Sequence, residues 1–288
     1  MKNKTPLRGF LSRLARNESD ARAIFPMRIS NMHNQDGFTI TELLIVIILT
    51  SLLTLIIMLF AFDLWRTSAT QEANVDTLET RFNASDTLRE EIGTSSGLII
   101  QNSIVDTHTL VADPSIPGGN FWLPIHAIPG SKPVGSSGTY TPLIYFKRYS
   151  VNSSKQYIMN GTQPYEDEYV LYLNGTTKAL MQRNLANASA SGNRLLTSCP
   201  PALATSSCPA DKNIASDVSS VSVRYFSRTG NLIDYTSITD PNTGAYIGPD
   251  FPAVEVVEIT LNLSKKPGFS GTNATQNTTV IRIALRNS

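Results

Sequence analysis

Glu42 sets one carboxylate immediately before twenty residues, 43–62, of which fifteen are Leu, Ile, Val or Phe, and it follows Gly37 by five positions. Twenty residues at about 1.5 Å each span about 30 Å, the hydrocarbon thickness of a bilayer. Each aliphatic residue favours insertion by about 0.3–0.6 kcal/mol, whereas an acidic one costs about 2.5–3.5 kcal/mol at the helix centre and less near an end. Insertion therefore wins despite Glu42. An ionisable group kept at such a place is a functional residue by default, and its chemistry is electrostatic: it calls for a cationic partner.

Two cysteines, Cys199 and Cys208, are the only ones in the chain, and the eight residues between them supply no other metal ligand. A tetrahedral metal site is not completed by that loop, so a local disulfide is expected, with a stabilisation of about 2–3 kcal/mol in the chain-entropy model and an oxidising compartment around it. No metal and no cofactor are expected. The run Gly93-Thr94-Ser95-Ser96-Gly97 matches the nucleophile-elbow pattern, but an elbow lies between a strand and a following helix, and this run follows a helical segment, where it serves as a stop. His108 and His126 lie in no recognisable ligand spacing. Glu166-Asp167-Glu168 has oxygen ligands suited to calcium, but a solvated acidic turn ahead of a strand accounts for it more simply. No enzyme activity is expected. Lys147-Arg148 and Lys265-Lys266 are isolated pairs, and the seven basic and three acidic residues before Phe38 leave seventeen basic and twenty acidic after it, a net −3. Nucleic acid is not an expected partner.

Gly37, Phe38, three further residues, Glu42 and the apolar run together resemble the class III signal of type IV pilins and pseudopilins. The resemblance implies cleavage after Gly37 by a membrane-embedded prepilin peptidase and N-methylation of Phe38, the new first residue. It also implies a subunit-assembly role for Glu42, whose carboxylate pairs in a filament with the Phe38 amine of a neighbour, offsetting two desolvation costs at once. The implied partners are the peptidase, other pilin or pseudopilin subunits, an inner-membrane assembly platform and, before assembly, membrane lipid. The leader is longer than the family's usual one, and Asn34-Gln35-Asp36 is polar or acidic where a basic residue is common. Two accounts of that length stand open: a start at Met27, or a basic amphipathic helix carrying Leu7, Phe10, Leu11 and Leu14 on the inner leaflet. Seven Lys/Arg before Phe38 against Arg66 and Arg81 in the twenty residues after Phe62 keep the N-terminus inside.

The elements that must position these residues follow from periodicity. Residues 1–37 form the leader, 38–92 an N-terminal helix with 38–62 as its membrane and filament-core half, and 93–288 an extracytoplasmic β-rich head. Past residue 62, Val75, Leu78, Phe82, Leu88 and Ile92 recur at helical multiples among charges, so one face is expected to pack on the head. Runs at 143–149, 168–173 and 178–183 read as strands, with Asn174-Gly175 as a hairpin signal. Segments 114–119 and 129–138 read as loops, while 218–226, 254–263 and 280–285 alternate as strands of an antiparallel sheet, with a turn at Gly230-Asn231. The fold class is α+β, pilin-like. About the last seventy residues resemble the larger minor pilins and J-type minor pseudopilins, which implies an initiator or tip component of a type IV pilus or a type II secretion-like filament. A tip adhesin or uptake receptor, and a bitopic protein that is never processed, are the alternative readings.

Overall fold

The computed structural model describes residues 39–113, 115–124, 140–233, 254–268 and 274–285. Gly37, Phe38, the leader, His126 and the 129–138 loop lie outside the described residues. Helix α1, Ile40–Gly93, contains no proline, and its only glycine is its last residue. The Gly93 run ends it as expected: the amides of Thr94 and Ser95 donate to the Glu90 and Ile92 carbonyls, and β1, Gly97–Ile99, begins at once. Two compact units divide the chain, 1–57 and 58–288. In the first, the described residues belong almost wholly to α1, whose large apolar side chains from Leu43 onward are exposed. The second holds the rest of α1 and the sheets.

A five-stranded antiparallel sheet runs β1-β2-β5-β6-β7, with β2 at Tyr140–Tyr149, β5 at Glu166–Asn174, β6 at Ala179–Leu185 and β7 at Lys212–Ala215. Pro142 cannot donate to the ladder, and the β2–β5 register shifts between Pro142 and Ile144. Strand β5 is buried at eight of nine positions, which is why it reads as a continuous apolar run instead of an alternating one. The β5–β6 hairpin is present, but its loop is longer than the two-residue Asn-Gly turn the sequence suggests: Asn174 pairs with Ala179. The Asn174 side chain accepts from the amides of Thr176 and Thr177, and Lys178, not Gly175, takes the left-handed conformation at φ 52°.

The second antiparallel sheet is four-stranded, ordered β11-β10-β8-β9, from Val218–Phe226 (β8), Leu232–Ile233 (β9), Val256–Lys265 (β10) and Thr275–Ala284 (β11). Alternation holds in β10 and β11, where Val257, Ile259, Leu261 and Leu263 face the core together with Ile281 and Ile283, whereas in β8 a register shift opposite Asn262 and Leu263 leaves Val218, Val221 and Tyr225 as the buried residues. Gly230, at φ 80°, closes the turn after β8. A short hairpin, Met159–Asn160 (β3) with Gln163–Pro164 (β4), stands apart. One buried cluster draws on both large sheets, on Trp122, and on Ala84, Leu88 and Ile92 of α1. The chain is thus α+β, with a long apolar N-terminal helix and antiparallel sheets.

The face of α1 that packs on the sheets is the one periodicity selected only at its C-terminal end, where Leu88 and Ile92 are buried. Val75, Leu78 and Phe82 are 62%, 40% and 63% exposed, while Ala73, Thr77, Ala84, Ser85, Leu88 and Ile92 are buried. Small side chains let the helix backbone lie close to the sheets, and a face built of Ala, Thr and Ser leaves little trace in hydropathy. Lys265 at the end of β10 pairs with Asp76 at 2.7 Å, and that bond raises the Lys265 pKa.

Candidate functional site

Thr39 and Glu42 form a reciprocal cap at the start of α1. The Thr39 amide donates to Glu42 Oε2 at 3.0 Å, the Thr39 hydroxyl donates to the same oxygen at 2.9 Å, and the Glu42 amide donates to Thr39 Oγ1 at 3.3 Å. This is the Thr-x-x-Glu capping box, which satisfies amides that a helix start leaves open. The Glu42 carboxylate therefore has a partner within its own chain. Further along, Thr50, Ser51 and Thr54 turn their hydroxyls back to the Val46, Ile48 and Thr50 carbonyls at 2.7–2.8 Å, so these hydroxyls are satisfied inside the helix, as a hydrocarbon environment demands. The helix is long and apolar enough to cross a membrane.

In the head, Cys199 and Cys208 are joined by a disulfide. The loop between them is exposed, with a short 3-10 turn at Pro201–Leu203. His108, which no sequence spacing connects to the cysteines, lies beside them: its Nδ1 is 3.6 Å from Cys199 Sγ. The His108 ring and both sulfurs lie within 4.8 Å of one another, but each sulfur is spent on the other, and a bonded sulfur offers no thiolate to a metal.

Next to this bond is a buried ionic network that the sequence did not disclose. Arg183 on β6 is fully buried and meets Asp211 twice, Nε to Oδ1 at 2.6 Å and Nη2 to Oδ2 at 2.9 Å, while its Nη1 donates to Asp106 Oδ2 at 2.8 Å and to the His108 carbonyl at 3.1 Å. Trp122 Nε1 and the His108 amide also donate to Asp106, and the Tyr172 and Ser198 hydroxyls donate to Asp211. Burial works against the charge on Arg183, but the bonds to Asp211 and the charge of Asp106 outweigh it and hold the guanidinium above its ordinary pKa. Burial, and then the bond to Asp211, drive the Tyr172 phenol well above its usual pKa.

The acidic run Glu166-Asp167-Glu168 is not a solvated turn. It opens β5, and Asp167 and Glu168 are buried. Glu168 accepts the amides of Ser103 and Ile104 and the Ser103 hydroxyl, Asp167 accepts from Asn187 and Asn193, and Glu166 meets Lys147 and Ser96. These carboxylates hold loops to the sheet. Arg148 and Lys212 both meet Glu91 of α1.

No curated protein matches the chain. Residues 32–58 match the model of the prokaryotic N-terminal methylation motif, a segment that takes in Gly37, Phe38, the Thr39–Glu42 cap and residues 43–58 of the apolar run. On its apolar helix the chain therefore carries the class III signal of type IV prepilin-like proteins.

Proposed function

We propose that this chain is a structural filament subunit, a minor pilin or pseudopilin that is made as a precursor, cut after Gly37, N-methylated at Phe38 and assembled through α1 as an initiator or tip component. The match at 32–58 on an exposed apolar helix carries this reading. In it, residues 1–37 are the leader on the cytoplasmic side, 38–62 the membrane and filament-core segment, and the β-rich remainder an extracytoplasmic head. Glu42 first caps its own helix through Thr39 and then exchanges that bond for the Phe38 amine of a neighbour. The exposed stripe Val75–Leu78–Phe82 supports assembly as well. It leaves large apolar side chains in water on the side of α1 away from the sheets, and contiguous exposure of that kind marks an interaction surface.

Intact mass of the membrane-extracted protein tests the reading. A mature chain beginning at Phe38 and heavier by one methyl group is expected, and Gly37→Val is expected to block maturation. A protein that keeps residues 1–37 in peptidase-competent cells overturns it.

A further inference from the structure

The disulfide is asymmetric in its surroundings. Cys199 is 1% exposed, whereas Cys208 is partly exposed and ends a loop whose residues 200–207 are nearly all exposed. His108 Nδ1 stands 3.6 Å from the buried sulfur, with the Thr107 hydroxyl 3.1 Å from the same nitrogen. Backbone bonds hold the buried side independently of the sulfurs: the Cys199 amide donates to the Pro209 carbonyl and the Asp211 amide to the Cys199 carbonyl, both at 2.8 Å. Asp211 is in turn anchored on Arg183. Breaking the S–S bond therefore leaves Cys199 where it is and frees only the outer turn.

Thiol–disulfide exchange depends on which sulfur an incoming thiolate reaches and on how well the other one leaves. Both conditions point the same way here. We propose that Cys208 is an S-thiolation site, at which a low-molecular-weight thiol forms a mixed disulfide while Cys199 departs as a thiolate held by His108. In the step, the incoming thiolate sulfur bonds to Cys208 Sγ and the Cys199–Cys208 bond breaks. Its electron pair goes to Cys199 Sγ, which accepts a hydrogen bond from Nδ1–H of His108. The incoming thiol is oxidised to the mixed disulfide and Cys199 is reduced, so no further oxidant is needed. The reverse step, Cys199 attacking the adduct, restores the bond in place.

The test uses the full-length protein in detergent with excess glutathione under native conditions, acid quenching, alkylation of free thiols and peptide mass spectrometry. Glutathione is expected on Cys208 and the alkyl group on Cys199, in at least a tenfold excess over the reverse. His108→Gln is expected to slow native exchange about fivefold, the worth of one hydrogen bond to the leaving group, while wild type and variant exchange at equal rates in denaturant. A merely structural role for His108 moves the rate the other way, because a loosened fold exposes Cys199 and accelerates exchange. Adducts on Cys199, an even split, no native exchange, or a His108→Gln rate equal to or above wild type each overturn the proposal.

Discussion

Replacing Arg183 with Met removes the cation that, among the described residues, pairs with the fully buried Asp106 and Asp211. Methionine keeps most of the side-chain volume, so packing changes little and electrostatics dominate. Four donated bonds disappear, two carboxylates lose their counter-charge, and the His108 carbonyl loses a donor. Breaking a buried pair by deleting one partner costs about 3–5 kcal/mol, a factor of a few hundred to several thousand in the folding equilibrium and a substantial part of the roughly 5–15 kcal/mol that holds a domain together. At about 2–4 °C per kcal/mol for a domain of this size, the melting temperature falls by roughly 10 °C. Urea unfolding of a fragment from residue 66 onward, followed by the fluorescence of buried Trp122, measures the effect, since the Arg183 guanidinium lies 5.6 Å from that ring. Lys212→Met, which removes a half-exposed partner of Glu91, serves as the control and is expected to cost about 1 kcal/mol or less. An Arg183→Met fragment within 1 kcal/mol of its parent refutes the reasoning.

Glu42→Gln keeps an oxygen for the Thr39 amide but loses the charge, and Glu42→Val loses both. If charge pairing drives assembly, both variants are cleaved after Gly37 and both incorporate poorly into filaments, and normal incorporation of Glu42→Gln refutes the pairing. Phe82→Ser is expected to leave head stability within about 0.5 kcal/mol, as for an exposed position, while lowering cross-linking yield to neighbouring prepilins in the membrane. Tyr145, Tyr169 and Tyr172 all have phenol pKa values raised by burial above the ordinary value of 10. Their contribution is therefore fully present below pH 10 and is lost as pH climbs through the folded-state values. An alkaline titration is expected to show their tyrosinate absorbance appearing together with loss of circular dichroism, and free ionisation of all tyrosines in a still-folded protein contradicts the burial.

Sequence patterns disclosed those parts of the molecule where one property repeats. The apolar run and the alternating β10 and β11 are of that kind, because a helix in lipid and a one-sided sheet each impose a period. The docking face of α1 was legible only at Leu88 and Ile92, because Ala73, Thr77, Ala84 and Ser85 contribute by being small, while the more conspicuous Val75, Leu78 and Phe82 are exposed. Strand β7, Lys212–Ala215, is too short and too polar to show a period. Asp167 and Glu168 read as surface because acidic residues usually are, and only the amides brought by the 103–104 and 187–193 segments make their burial tolerable. Arg183, Asp106, Asp211 and His108 meet across 28–77 residues of chain, a separation no local spacing encodes.

The small-residue face of α1 also orders events in time. Its ion-pair partner for Asp76 is Lys265, 189 residues later, and the ground beside Gly93 is occupied by Ile283 of the last strand. Contacts of such sequence separation form slowly and close only after the intervening chain is available. A helix that is synthesised first meets Arg148 and Lys212 of earlier strands through Glu91, but its docking is complete only when the last strands arrive. A chain cut short before β10 keeps the Arg148 and Lys212 pairs with Glu91 but lacks both Lys265 and Ile283, so part of the 73–93 face stays uncovered. Quality control that recognises the uncovered part of this face would distinguish finished chains from truncated ones.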